Sequence, residues 1–228
     1  MRFTTLTARL KDVEERIAAA AARTQRDPSS VTLVAVSKTW PVETILEALH
    51  AGVTDLGENR AHEFKQKVAV VGNGPRWHFV GHLQTNKVRS VVGQAALIHS
   101  VDRFGLAEAI ARRAGVLGIT QDVLIEVNVS GETSKHGIEP LRAGALAEEI
   151  AALDGINVRG LMTMAPFTDD PQSSRPHFQA LRDLAGPLRE RVPEAGELSM
   201  GMTRDFEVAV EEGATLVRVG EGIFGARS

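Results

Sequence analysis

Polar and apolar positions follow two different periods along most of this chain. Leu6, Leu10, Val13, Ile17 and Ala20 recur at helical spacing, so the first 25 residues predict an amphipathic helix. The stretch RDPSS then breaks the pattern. From residue 31 onward, short strand-like runs alternate with helix-like ones. The predicted strands are TLVAVSK (32–38), TDLGEN (54–59), WHFVGH (77–82), ALIHSV (96–101), VLIEVNV (123–129), VRGLMTMA (158–165), ELSMGM (197–202) and TLVRVG (215–220). Helical patterns such as PVETILEALHAG, DRFGLAEAIARRAG, PLRAGALAEEIAAL and RPHFQALRDLAGPLRE lie between them. Each of the eight strands except the last is followed by a predicted helix, and the longest irregular stretches fall near 72–76 and 166–173.

Regular βα alternation predicts a parallel sheet, because every parallel crossover needs room for a helix. Eight such units predict an α/β fold, a single-domain (β/α)8 TIM barrel over residues 1–228 with an extra N-terminal helix. A doubly wound open sheet is the alternative topology. Only EGIFGARS follows the last strand, which is too short for a normal closing helix. The N-terminal helix is therefore expected to cover that flank.

Composition narrows the function classes. A net charge of −3 with no Lys/Arg-rich run argues against nucleic acid as a partner. The chain has no cysteine, which excludes disulfides, thiolate catalysis and cysteine-based zinc sites. No apolar stretch approaches membrane-spanning length and no signal-peptide core opens the chain, so no membrane partner and a cytoplasmic location are expected.

In a barrel of this kind, functional residues belong at the C-terminal ends of the strands. Lys38, Asn59, His82, Ser100, Asn128, Met164, Met202 and Gly220 stand there. Lys38 closes an apolar run, and an unpaired ammonium is expensive to bury. It either reaches solvent or pairs with Glu58, or it is a desolvated amine able to form a Schiff base with a carbonyl. Arg218, flanked by Val217 and Val219, needs either a carboxylate partner or a ligand atom inside the barrel.

LVRVGEGIFG formally matches G-x-G-x-x-G, but too little chain follows for a dinucleotide-binding unit. Its bare backbone N–H groups still suit a phosphate. LSMGMTRD adds Ser199, Gly201 and Thr203 just ahead of a helix, where Thr203 also reads as a plain N-cap. Phosphate sites after the last two strands recur in this fold. His78 and His82 have no acidic partner at a metal-binding spacing, so no metal is expected, and His78 reads as core or rim. Glu211 and Glu212 are expected on a solvated helix face, and Met162, Met164, Met200 and Met202 in the barrel interior.

An amine, a phosphate cradle and a buried arginine together describe a pyridoxal 5′-phosphate site. The stretches LVAVSKTWP, LGENRAHEFKQK, WHFVGHLQTNKV, HSVDR, IEVNVSGETSKHGI, GLMTMAP and LSMGMTRDFEVAVEEGATLVRVGEGIFG carry a resemblance to the pyridoxal phosphate homeostasis protein family, related to the alanine racemase N-terminal barrel. The resemblance runs from about residue 31 to 226. It implies pyridoxal 5′-phosphate held as an internal aldimine on Lys38, with phosphate contacts from Ser199, Thr203, Gly220 and the backbone of Glu221. It further implies Arg218 facing the pyridine nitrogen, Asn59 and His82 near the cofactor, and an exposed Lys135 as a secondary contact for transfer. Thr203 stands where serine is common in the family, and the hydroxyl is kept.

An arginine beside the ring nitrogen cannot hand it a proton, so the cofactor is a weak electron sink. The tyrosine base of alanine racemase comes from a second domain, whereas this chain runs only eight residues past Gly220 and contains no tyrosine. The expectation is therefore a monomeric carrier that holds pyridoxal 5′-phosphate reversibly and delivers it to apo-enzymes, with no dedicated catalytic activity. The rivals are an amino-acid racemase using His82 or another base, and a cofactor-free Schiff-base aldolase. The aldolase would be colourless as purified.

Overall fold

The computed structural model describes residues 5–132 and 135–226. Its eight strands are β1 (Thr32–Val36), β2 (Asp55–Glu58), β3 (Arg76–Phe79), β4 (Leu97–Val101), β5 (Gln121–Glu126), β6 (Ile156–Met162), β7 (Glu197–Met202) and β8 (Leu216–Val219). They pair in parallel in chain order and close into a barrel through β1 and β8, so the open-sheet alternative is overturned. The helices are α1 (Leu6–Arg23), α2 (Val42–His50), α3 (Ala61–Val71), α4 (Phe104–Leu117), α5 (Pro140–Ala151), α6 (Arg175–Arg191), α7 (Phe206–Glu211) and α8 (Glu221–Phe224). Between β3 and β4 the connection is a 3-10 helix, Thr85–Ser90, in place of a full α-helix. Among the described residues, no helix is long and apolar enough to cross a membrane.

Helix α1 begins at Thr5, whose hydroxyl accepts from the Ala8 N–H at 3.2 Å. It buries Leu6, Leu10, Val13 and Ile17 over the flank that the one-turn α8 leaves open. Arginines pin it there. Arg9 donates to the Ile223 carbonyl at 2.7 Å, and Arg16 pairs with Glu207 at 2.8 Å. Just past the helix, Arg26 donates to the carbonyls of Val210 and Ala214. Glu211 and Glu212, expected in solvent, instead take part in this belt. Arg23 and Arg175 meet Glu211, while Arg175 and Arg182 meet a buried Glu212. The cause is simple: α7 is sandwiched between α1 and α6, and both present arginines.

Side chains alternate across each strand. One set faces the helices and joins Trp77, Phe79, Phe64 and their neighbours in the larger core. The other faces the barrel axis, where Val34, Leu97, Leu124, Met162 and Leu216 form a separate apolar cluster with Met164 against it. Met200 belongs to the outer core and Met202 is partly exposed at the mouth, so only two of the four methionines fill the interior. Two positions further along their strands, Leu97, Leu124 and Leu216 give way to His99, Glu126 and Arg218, all buried. The inward face thus turns from apolar to polar toward the C-terminal ends.

Behind the wall, Glu58 faces α3 and meets Lys67 at 2.6 Å, with Ser37 Oγ donating to the same carboxylate at 2.7 Å. Lys67 also donates to the Ser37 carbonyl and to Glu63, at 2.8 and 2.6 Å. Glu63 in turn accepts the Thr39 N–H at 2.5 Å. Removing one partner of a buried pair strands the other charge. Lys67→Met should therefore destabilise the fold by about 3–5 kcal/mol in denaturant titrations, and adding Glu58→Met should recover much of that loss.

Candidate functional site

A cavity of about 740 Å³ opens at the C-terminal ends of the strands, within the usual size of small-ligand sites. Lys38, Asn59, His82, Thr203, Arg218, Gly220 and Glu221 all line it. Of the residues expected at a phosphate or ring, the structure leaves only Ser199 off this lining.

Lys38 shares the inward parity of Val34 and Val36, two residues past the end of β1. Its alternative partner, Glu58, is on the opposite face of the sheet and engaged by Lys67. The turn that follows is held under load. Thr39 has φ +69°, a conformation that costs a β-branched residue about 1–3 kcal/mol. Its N–H bond to Glu63 and the Lys67 bond to the Ser37 carbonyl brace either side of Lys38. Trp40 lines the cavity and stacks on Phe224 with ring centres 6.0 Å apart.

Thr203 does not cap α7, because Asp205 occupies the N-cap position. The Thr203 hydroxyl instead accepts from the N–H groups of Gly220 and Gly222 at 3.3 and 3.5 Å, tying the β7 turn to the β8 turn. A Cβ at Gly222 would meet Val219 Cγ1 at 2.9 Å, so this backbone stays bare. Asn59 is set by a similar close approach. A Cβ at Gly81 would fall 2.1 Å from the Asn59 carbonyl oxygen, and β3 ends before reaching that point.

Arg218 is buried in β8 and donates to Ser199 Oγ at 2.5 Å and to the Thr163 carbonyl at 2.8 Å. Burial lowers its pKa to about 10, against the raising influence of Glu126 and Asp205, so it remains a cation at neutral pH. No carboxylate touches it directly among the described residues. Ser199 lies three positions before the end of β7, fully buried between Arg218 and His99 Nδ1. Its depth in the strand, short of the turn, keeps it away from the glycine backbone.

His82 stacks on His136 with ring centres 3.9 Å apart and planes 16° from parallel. Burial and the neighbouring His136 lower its pKa. With Asp102 they bring ligand-type atoms within 4.8 Å of one another. Nearly parallel rings direct their in-plane lone pairs side by side, not toward a common point, and Asp102 is also paired with Arg103 at 2.5 Å. Lys135, expected to be exposed, is half-buried with Nζ 3.1 Å from Glu132, and it is not on the cavity lining.

The sequence reading missed Glu126. It is almost fully buried at the inward end of β5, with Oε2 lacking a partner, and burial, then Asp102, pushes its pKa up to about 7 against the pull of Arg218. An acid flanked by Ile125 and Val127, with the parity of Leu124, was the available signal.

The family model described as "Alanine racemase, N-terminal domain" matches residues 9–228. A "Pyridoxal phosphate homeostasis protein" of Aquifex aeolicus is 47% identical over 221 residues, covering 96% of this chain and 97% of that one. The chain belongs to the pyridoxal phosphate homeostasis protein family. A solved structure, PipY of Synechococcus elongatus with pyridoxal phosphate bound, superposes with a TM-score of 0.81 at 38% identity. That match covers 93% of this chain and 100% of PipY. Alanine racemase of Corynebacterium glutamicum shares the fold at a TM-score of 0.72 and 15% identity, over 94% of this chain and 62% of its own. In this family member the cavity therefore sits where the (β/α)8 barrel places function.

The raised pKa of Glu126 has a stability consequence. Between about pH 4.5 and 7 the folded chain binds more protons at this carboxyl than the unfolded chain, so its contribution to stability falls as pH rises. Glu126→Gln should flatten that slope. At pH 8 the variant is expected to be more stable than wild type by up to about 3 kcal/mol, with little difference near pH 4.5, in parallel denaturant titrations.

Proposed function

We propose that this chain binds pyridoxal 5′-phosphate in the barrel-mouth cavity and acts as a carrier of it. The observation that carries the reading is the convergence on one cavity of the Lys38 amine, the Arg218 guanidinium and the Thr203-bridged glycine turns. That donor set fits the cofactor: an aldehyde, a ring nitrogen and a phosphate each find a matching group. Bound, the cofactor supplies an aldehyde that amines capture reversibly and a ring able to accept electrons.

Lys38 would hold the aldehyde end, its backbone braced on either side by Lys67 and Glu63. Thr203 and the backbone at Gly220 and Glu221 would hold the phosphate. Arg218 would face the ring nitrogen as a pure hydrogen-bond donor, since a guanidinium has no acceptor and does not release its proton near neutral pH. Asn59 and His82 would border the ring. Ser199 would act from beneath, through Arg218.

A donor at the ring nitrogen keeps electron withdrawal weak, which supports holding over turnover. The name shared by the relatives supports a role in homeostasis of the cofactor. In this reading the barrel works as a single-domain monomer in the cytoplasm, a compartment that suits its cysteine-free composition. Apo-enzymes that require pyridoxal phosphate would be the recipients.

The test is the visible absorption spectrum of the purified protein beside Lys38→Ala. Wild type should bind added pyridoxal phosphate with a visible band that borohydride removes, leaving a pyridoxyl group on Lys38 by mass spectrometry; Lys38→Ala should lack the band. A wild-type protein that stays colourless after addition would overturn the binding site. Racemisation of a free amino acid at about 1 per second or faster would overturn the carrier role.

A further inference from the structure

Five polar side chains from five strands meet inside the barrel, beneath the cavity. Asp55 Oδ1 lies 2.9 Å from His78 Nε2, and His78 Nδ1 lies 2.9 Å from His99 Nε2. His99 Nδ1 lies 2.9 Å from Ser199 Oγ, which accepts from Arg218 Nη1 at 2.5 Å. All five residues are buried. The run crosses the barrel from β2 through β3 and β4 to β7 and β8, and it ends at the arginine on the cavity lining.

The direction of each bond follows from chemistry at the two ends. A guanidinium can only donate, so Ser199 Oγ accepts from Arg218 and has its own hydrogen left to give. That hydrogen fits His99 Nδ1, which leaves the His99 proton on Nε2, directed at His78 Nδ1. His78 then carries its proton on Nε2 and donates to Asp55. The carboxylate end suits this polarity. Burial would raise Asp55, but hydrogen bonds from His78 and Thr54 outweigh it and hold its pKa below the ordinary value. Burial above all, together with the positive charge of Arg218, keeps His99 well below its usual value and hence neutral. In the opposite arrangement His99 Nδ1 donates, Ser199 Oγ receives two donors, and its buried hydrogen has no acceptor among the described residues.

We infer that Asp55, His78, His99 and Ser199 are positioning residues, a one-way chain of hydrogen bonds that anchors Arg218 and sets the direction in which it presents its remaining donors to a ligand. Two of the five N–H donors of Arg218 are committed to Ser199 and Thr163. Among the described residues no further acceptor meets Arg218, which is on the cavity lining. A buried arginine braced only by neutral oxygens could rotate about its long side chain. The chain instead ends on a fixed anion, so a shift at Arg218 breaks a run of bonds and not one. Cooperative polarisation along such a run strengthens each link. The inference rests on the proposed pyridoxal phosphate site for what Arg218 faces, but not for the existence of the chain.

The two parts are tested separately on the full chain. Nitrogen-15 spectra of histidine-labelled wild type, without added cofactor, should show His78 and His99 both neutral at pH 7.5 and both protonated on Nε2. A proton on Nδ1 of either ring, or a charged His78, would overturn the chain as drawn. Pyridoxal phosphate titrations then compare wild type, Ser199→Ala and Ser199→Thr by visible absorbance. Ser199→Ala should weaken binding about tenfold or more and shift the band, and Ser199→Thr, which keeps the hydroxyl, should restore both.

Unchanged affinity and spectrum in Ser199→Ala would overturn the positioning role even if the proton pattern holds. Should Ser199→Ala fail to fold, the wild-type nitrogen spectra still decide whether the chain exists. Absence of any pyridoxal phosphate binding by wild type would instead refute the reading of the cavity, and with it the ligand that Arg218 is positioned for.

Discussion

The hydrogen-bonded register between the first and last strands is the constraint on which this protein depends. Val34 pairs with Arg218 and Ala35 with Val219, and only barrel closure brings them together. Without that seam, Lys38 and the glycine turn of Gly220 would sit at opposite edges of an open sheet. With it, the amine, the guanidinium and the bare backbone share one cavity. The second closing contact, Thr203 Oγ1 with the N–H groups of Gly220 and Gly222, extends the seam to β7. A site assembled from both ends of the chain is thus a property of the closed ring.

Closure alone leaves polar groups in a place where water cannot reach them, and the structure resolves this on both sides of the wall. Inside, Arg218 donates to oxygens it can reach and is tied by way of Ser199 and two histidines to Asp55. Outside, Lys67 satisfies Glu58 while also bracing the backbone that carries Lys38. Both clusters lie directly behind a group that lines the cavity. Buried ion pairs contribute little net stability on average, because desolvation cancels most of the attraction. Here their effect is geometric: each removes a freedom that a ligand would otherwise have to restrict.

The fold was legible because βα alternation is periodic and each strand carried a compact apolar run. The cavity residues were legible where a polar group interrupted such a run at a strand end, as at Lys38 and Arg218, or where glycines clustered, as at Gly220. Strand ends were placed too far along at His82, because the near contact of Gly81 with Asn59 is invisible without the neighbouring strand. The role of Thr203 was ambiguous for the same reason, since its partners belong to the next turn. Ser199 was grouped with the turn by proximity in sequence, whereas strand parity and depth send it into the barrel interior. Glu126 was missed although its place between Ile125 and Val127 marked it, whereas His99 and Asp55 each look ordinary alone. Their meaning comes from four or five strands converging. Glu211 and Glu212 were read as solvated because nothing local shows that arginines from α1 and α6 enclose them.

Arg9, near the start of α1, grips carbonyls of Ile223 and Phe224 more than 200 residues later. The eighth outer layer of the barrel is therefore contributed by a segment that precedes every strand of the sheet. During synthesis that helix has an apolar face and no surface to cover, until the final strand emerges. Contacts of such long sequence separation carry a large loop-closure entropy and fold slowly. The apolar face of α1 consequently needs shielding in the nascent chain until β8 is made. Because the same last strand carries Arg218, a partly made barrel has no assembled cavity at its mouth.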